Sequence, residues 1–180
     1  MGQVVYNGIK FDLFIPSESI QTRMRQIASA ISDDYENKRP LLICVLNGAF
    51  AFASDMFMNL SIDAEITFTR LKSYVGTGSS GSVDELLELS DDIRDRHVVV
   101  VEDIIDTGRT IKKLIDSIKL KLPASVRVAT LLYKPQVCTH DITPDYIGFT
   151  IPSNFIIGYG LDIDGLGRNL KDIWVAEEEN

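Results

Sequence analysis

Cysteine is scarce. The 180 residues hold two, Cys44 inside an apolar run and Cys138 in a polar stretch. Two cysteines cannot build a disulfide framework, and the pair Cys138-x-His140 is too sparse for a structural zinc. Histidine is as rare, and both His97 and His140 are expected at the surface. No serine sits in a nucleophile elbow, so triad chemistry has no support. No apolar run reaches bilayer-spanning length. The start M-G-Q-V-V-Y lacks the basic and apolar regions of a secretory leader, and Tyr6 stands where a myristoylation motif wants Ser or Thr. A reduced, cytoplasmic protein with no membrane partner is expected. Basic residues are outnumbered, 18 against 26, giving a net charge of −8 and a pI near 4.7. That disfavours nucleic acid, which needs a basic footprint. An anionic ligand would have to be held by local N–H groups, a few cations and a divalent metal, since charges beyond about 8 Å are screened at physiological salt. There are no repeats, and the length suits one domain.

What is present is concentrated in Val98–Thr110, V-V-V-V-E-D-I-I-D-T-G-R-T. Four valines form the continuous apolar run of a strand buried on both faces of a parallel sheet. The run stops at two adjacent carboxylates, Glu102 and Asp103. After Ile104 and Ile105 come Asp106, Thr107, Gly108, Arg109 and Thr110, then apolar residues at helical spacing (Ile111, Leu114, Ile115, Ile118). Strand, acidic edge, glycine loop and helix N-terminus follow one another. Ligands in open α/β sheets bind outside the carboxyl ends of strands, and the N–H groups of such a loop hold phosphate. Thr107–Thr110 suit a terminal phosphate. Glu102 and Asp103 are hard oxygen ligands, suited to ribose hydroxyls or to a Mg²⁺ that keeps most of its waters. Asp106, between the two groups, stands where a base would act; a plain helix cap is the competing role for Asp106 or Thr107.

The flanking segments repeat the pattern. Ser17 is a good N-cap for a helix carrying Ile20, Met24, Ile27 and Ile31 to about Asp34. Leu41–Leu46 is a second buried strand, ending in Asn47-Gly48-Ala49 and a helix with Phe52, Ala53, Met56, Phe57 and Leu60. Ala64–Leu71 alternates as a strand, and Val83–Leu89 carries mixed signals. Between them, G-T-G-S-S-G (76–81) fits a dinucleotide fingerprint only in spacing: Lys-Ser-Tyr-Val intervenes after the strand and no clear helix follows. It also misses a P-loop, because Ser82 replaces the lysine. A small-residue hairpin tip is expected. Pro123 ends one element and Val126–Leu132 forms another buried strand. Lys134 follows at its carboxyl end, where surface is the ordinary place for a lysine. Ile173–Val175 is a last strand and Glu177–Asn180 an acidic tail.

The E-D-I-I-D-T-G stretch closely resembles the phosphoribosyl-pyrophosphate signature of type I phosphoribosyltransferases, in the form of the hypoxanthine (hypoxanthine-guanine) members. The matched landmarks run in order from Leu41 to Val175. The resemblance implies an open parallel α/β sheet flanked by helices (core about 17–150), with a small hood from about 1–16 and 151–180, all one domain. It implies transfer of a phosphoribosyl group from phosphoribosyl pyrophosphate to hypoxanthine, with guanine a further substrate, using Mg²⁺. Thr107, Gly108, Arg109 and Thr110 would hold the 5′-phosphate. Glu102 and Asp103 would hold ribose hydroxyls and metal, with Asp162 supporting the metal, and Asp106 would handle the proton on purine N7. Leu46, Asn47 and Gly48 match the pyrophosphate loop, including the place of a cis peptide between Leu46 and Asn47, although Asn47 replaces the usual cation. Ser73 and Tyr74, in R-L-K-S-Y, resemble the catalytic lid. Lys134 falls where the purine oxygen is bound, Phe155 where an aromatic stacks on the base (core packing is its ordinary role), Ile156 where the backbone reads the base edge, and Arg168 where pyrophosphate is met. By family analogy a homodimer or homotetramer is expected. Two other readings stand: a non-catalytic regulator on this fold, and a transferase for another base.

Overall fold

The computed structural model describes residues 2–73, 83–87 and 92–177. In chain order the elements are β1 (Gln3–Tyr6), β2 (Ile9–Ile15), α1 (Ser17–Asp34), β3 (Leu41–Leu46), α2 (Phe50–Met58), β4 (Glu65–Ser73), β5 (Val83–Leu87), β6 (His97–Ile105), α3 (Arg109–Leu120), β7 (Ser125–Tyr133), β8 (Tyr146–Thr150), β9 (Ile156–Ile157) and β10 (Ile173–Ala176).

Six strands form the main sheet in the order β5-β4-β3-β6-β7-β8. The five from β4 to β8 are parallel, and β5 is antiparallel on the edge of β4. The mixed pattern after Val83 therefore resolves as an edge strand. The apolar runs of β3 and β6 are buried on both faces, as continuous hydrophobic strands require. Alternate residues serve opposite sides. Leu42, Cys44, Val99 and Val101 pack with Ile20, Met24 and Ile27 of α1 and with Phe52 and Met56 of α2. Leu41, Ile43, Val98 and Val100 pack with Ile111, Leu114 and Ile118 of α3. The helix following β3 and the helix following β6 thus leave the sheet on opposite faces, which makes the β3–β6 boundary the point where a crevice opens.

Ser17 does not cap α1. Pro16 occupies the cap position without a side-chain bond, and the Ser17 N–H instead donates to Asp172 Oδ1 at 2.7 Å. A carboxylate 155 residues away in sequence supplies the anion that the helix N-terminus favours. His97 is not a plain surface residue either: it is half-buried, Nδ1 lies 2.8 Å from Ser125 Oγ, and its ring meets the Tyr35 ring edge-on.

Four short strands form a second, antiparallel sheet in the order β1-β2-β10-β9. N-terminal and C-terminal segments build it together, because β2 pairs with β1 on one edge and β10 on the other. Phe11, Ile157 and Trp174 form its own small core. It touches the main sheet closely: a Cβ on Gly160 would fall 2.0 Å from the Gly48 carbonyl oxygen, so only glycine fits that approach. Among the described residues, no helix is long and apolar enough to cross a membrane.

Candidate active site

Strand β6 does not stop at its carboxylates. Its pairing with β3 ends at Cys44–Val101, but its pairing with β7 continues through Glu102–Thr130 to Ile105–Tyr133. Polar side chains did not end the strand because backbone pairing on one side suffices to carry it on. The released edge leaves a gap beside β3, and a cleft of about 300 Å³ opens there. Its walls are the β3 exit (Leu46, Asn47, Gly48), the β6 exit and the glycine loop after it (Glu102 through Thr110), and Asp162 with Arg168 from the segment between β9 and β10. A larger hollow of about 600 Å³, near Asp33, Glu36 and Asp63, lies at the other end of the strands and brings together no comparable chemistry.

Gly108 begins α3 with a φ of +79°, a left-handed conformation that glycine adopts without strain. The cap position itself is Gly108, which has no side chain to bond, and Asp106 does not cap the helix. Thr107 Oγ1 instead accepts from the Arg109 N–H at 3.4 Å. Asp106 is exposed, and its Oδ2 faces the Lys134 ammonium at 3.8 Å. Lys134 is buried, only 6% exposed, against the ordinary habit of lysine. Its N–H donates to the Ile105 carbonyl, which fixes the end of β7 against the end of β6. One backbone bond thus sets a cation and an anion side by side at the sheet edge.

Glu102 and Asp103 form an unusual pair. Burial pushes the Glu102 carboxyl well above its ordinary range, and the neighbouring charge of Asp103 adds to the shift. Burial raises Asp103 too, opposed by the Ile104 N–H that donates to Oδ1 at 2.8 Å. Glu102 Oε2 is buried without a hydrogen-bond partner. Asp103 lies against Gly48, where an added Cβ would fall 1.5 Å from Oδ2. The Leu46–Asn47 peptide is cis, as the resemblance implied.

On the far wall, Arg168 donates to the Gly160 carbonyl at 2.6 Å and pairs with Asp162 Oδ1 at 2.7 Å. The other Asp162 oxygen accepts from the Gly165 N–H at 2.7 Å. Asp162 therefore orients Arg168 toward the cleft. No group of three or more His, Cys, Asp or Glu is placed to hold a metal by itself among the described residues.

Phe155 and Ile156 stand outside this cleft. Phe155 is 49% exposed, its ring 6.1 Å from that of Phe11, while Ile156 is buried in β9. Core packing is thus not what Phe155 does. Ser73 ends β4, paired with Val83, whereas Tyr74 and the 76–81 glycine tip lie outside the described residues. His140 was missed from sequence: its Nδ1 lies 3.0 Å from the Thr107 carbonyl oxygen, under the glycine loop.

Residues 16–164 match the phosphoribosyl transferase domain family. The hypoxanthine-guanine phosphoribosyltransferase of Streptococcus thermophilus is 39% identical over 168 residues, 93% of each chain. The hypoxanthine-guanine-xanthine phosphoribosyltransferase of Tritrichomonas foetus is 40% identical over 162 residues, 89% of this chain and 88% of that one. A crystal structure of a hypoxanthine-guanine phosphoribosyltransferase from Bacillus anthracis superposes with a TM-score of 0.86 at 36% identity, covering 93% of this chain and 97% of that one. An acidic strand end, a glycine loop at a helix N-terminus and a buried lysine meeting at one sheet edge agree with these likenesses, and the chain belongs to the hypoxanthine-guanine branch of the phosphoribosyltransferase family.

Proposed function

We propose that this chain is a purine-salvage transferase that moves the 5-phosphoribosyl group of phosphoribosyl pyrophosphate to hypoxanthine and guanine, releasing pyrophosphate and giving IMP and GMP. The observation that carries this is the Asp106–Lys134 pair at the mouth of the phosphate loop. It sets a proton acceptor and an oxygen-directed donor beside the place where a ribose 5′-phosphate would sit.

The loop Thr107–Thr110 binds the 5′-phosphate through its N–H groups and hydroxyls, with the dipole of α3 behind it. Glu102 and Asp103 take the ribose hydroxyls. A Mg²⁺ fits there, since the unpartnered Glu102 Oε2 and its buried acidic neighbour are hard oxygens in need of a cation. When bound it supplies positive charge to pyrophosphate and to the two carboxylates. Two protein carboxylates, Glu102 and Asp103, would suffice to hold an ion that keeps most of its waters. Asp162 supports that region through Arg168, whose guanidinium meets the departing pyrophosphate alongside the Leu46–Gly48 backbone; by resemblance Ser73 and Tyr74 belong to this part of the reaction too. Lys134 donates to the purine exocyclic oxygen, Phe155 stacks on the base and the Ile156 backbone reads its edge. Asp106 accepts the proton from purine N7 as C1′ forms its new bond. Fixed charges in a site shielded from water favour the ribosyl cation character of that step.

The whole chain acts as one catalytic domain, cytoplasmic, as a homodimer or homotetramer. The test is pyrophosphate release from phosphoribosyl pyrophosphate and Mg²⁺ with hypoxanthine, guanine, xanthine or adenine. Release with the first two supports the assignment. Release only with another base makes it a different transferase; tight binding of phosphoribosyl pyrophosphate without release with any base makes it a regulator.

A further inference from the structure

The phosphate loop has a support on its hidden side. Residues 138–142 run beneath Gly108: a Cβ there would meet Cys138 Sγ at 3.0 Å, His140 Cβ at 3.4 Å and Ile142 Cδ1 at 3.5 Å. The Thr107 carbonyl turns toward this segment and accepts twice, from the Thr139 N–H at 3.2 Å and from His140 Nδ1 at 3.0 Å. A carbonyl can only accept, so Nδ1 carries the proton in this contact, and Thr139 Oγ1, 3.2 Å from the same nitrogen, acts as a second acceptor.

Thr107 is followed by glycine, for which either sign of φ is open. The Thr107–Gly108 peptide is therefore free to rotate between two turn forms unless something holds it. In a trans peptide the C=O and N–H point in opposite directions. With the carbonyl held toward His140, the Gly108 N–H is directed the other way. With the peptide flipped, an oxygen would be offered to an anion in place of a hydrogen.

Resting on the function proposed above, we propose that His140 is a positioning residue of the phosphate loop: its Nδ1–H grips the Thr107 carbonyl and keeps the Thr107–Gly108 peptide in the orientation that receives the ribose 5′-phosphate. Its effect is specific to ligands carrying that phosphate and does not reach the purine.

The test compares wild type, His140→Ala and His140→Asn, the last keeping a side-chain N–H close to the position of Nδ1. Titration with IMP and with inosine separates phosphate from nucleoside binding, and steady-state assays give KM for each substrate. Loss of one hydrogen bond predicts weakening of IMP and a rise in KM for phosphoribosyl pyrophosphate of about fivefold in the alanine variant. Inosine affinity, KM for hypoxanthine and kcat stay within about twofold, and asparagine recovers most of the loss. Equal weakening of IMP and inosine, no change, or an asparagine variant no better than alanine overturns the proposal. A measurement on the unmodified protein keeps it open to refutation if the variants do not fold. Imidazole ¹⁵N shifts must show Nδ1 protonated; a neutral ring with its proton on Nε2 could not donate to Thr107 and overturns it. Wild type that binds neither IMP nor phosphoribosyl pyrophosphate overturns the proposed function instead, whereas wild-type binding with indifferent variants overturns only the role of His140.

Discussion

The Lys134 ammonium lies 3.8 Å from the Asp106 carboxylate, the lysine buried and the aspartate open to the cleft mouth. The pair sets a donor and an acceptor side by side at the sheet edge, where the proposed function places the base.

Replacing the acceptor should stop chemistry and spare binding. Asp106→Asn keeps shape and polarity but cannot take a proton, and loss of a general base typically costs 10²–10⁴-fold. The expected outcome is a fall of that size in kcat, with KM for phosphoribosyl pyrophosphate within a few-fold, read from pyrophosphate release. Near-normal turnover would remove Asp106 from the reaction.

Replacing the donor should relax base choice. A site that donates to a purine oxygen is left with an unpaired donor when adenine enters, which is a strong basis for rejection. In Lys134→Gln the amide offers a donor or an acceptor, so the preference for hypoxanthine over adenine should shrink by about a hundredfold or more. Competition between the two bases measures it, and an unchanged ratio would mean that Lys134 does not face the oxygen.

If Mg²⁺ binds the acidic pair as proposed, its effect depends on pH. Both carboxyls have folded-state pKa values raised above their ordinary ones, about 4.3 for Glu and 3.9 for Asp when unfolded. The folded chain thus binds protons more tightly than the unfolded one. Its stability from these groups is full below the unfolded values and declines as pH rises toward the raised folded values. A divalent cation offsets the charge that appears there. Melting with and without Mg²⁺ should show a larger metal-induced rise in Tm at pH 8 than at pH 5. Glu102→Gln should flatten that difference; a rise independent of pH in wild type would place the metal elsewhere.

Gly48→Ala should damage activity more than stability. The new Cβ would strike Asp103 Oδ2, the end of a side chain that can swing aside, so the fold survives while the carboxylate is displaced. A drop in kcat/KM of at least about tenfold with little loss of Tm is expected. Parallel loss of both would mean that the backbone itself moved.

Asp172→Ala removes the anion at the start of α1. Caps of this kind contribute about 0.5–2 kcal/mol, equal to a Tm drop of roughly 1–8 °C in a chain of this size. Calorimetry decides it, and an unchanged Tm would show that water satisfies the Ser17 N–H equally well.

The central motif was legible because its logic is local. A buried strand, a carboxylate edge, a glycine turn and an amphipathic helix follow one another along Val98–Ile118, and periodicity reads each in turn. The two-faced burial of β3 and β6 was legible for the same reason. What escaped depends on residues far apart in the chain. Nothing near Ser17 announces Asp172, and nothing near His140 announces that the Thr107 carbonyl would reach it. The extension of β6 past Glu102 is decided by pairing with β7, which side-chain polarity does not report. Lys134 stood out by its place on the sheet edge of the acidic motif and by resemblance, but nothing in the sequence announced its burial. Asp162 was expected beside the metal; its oxygens are taken up by Arg168 and the Gly165 N–H.

Strand β2 lies between β1 and β10, partners made at opposite times. A ribosome releases β2 early, then must deliver nearly the whole parallel sheet before residues 173–176 arrive to cover its second edge. During that interval the residues of β3 through β8 have all been made, while the edge carrying Leu13 and Phe14 lacks its partner. An unpaired strand edge is a template for any other chain that meets it. The segment that carries Arg168 to the cleft wall also covers the second edge of one of the earliest-made strands.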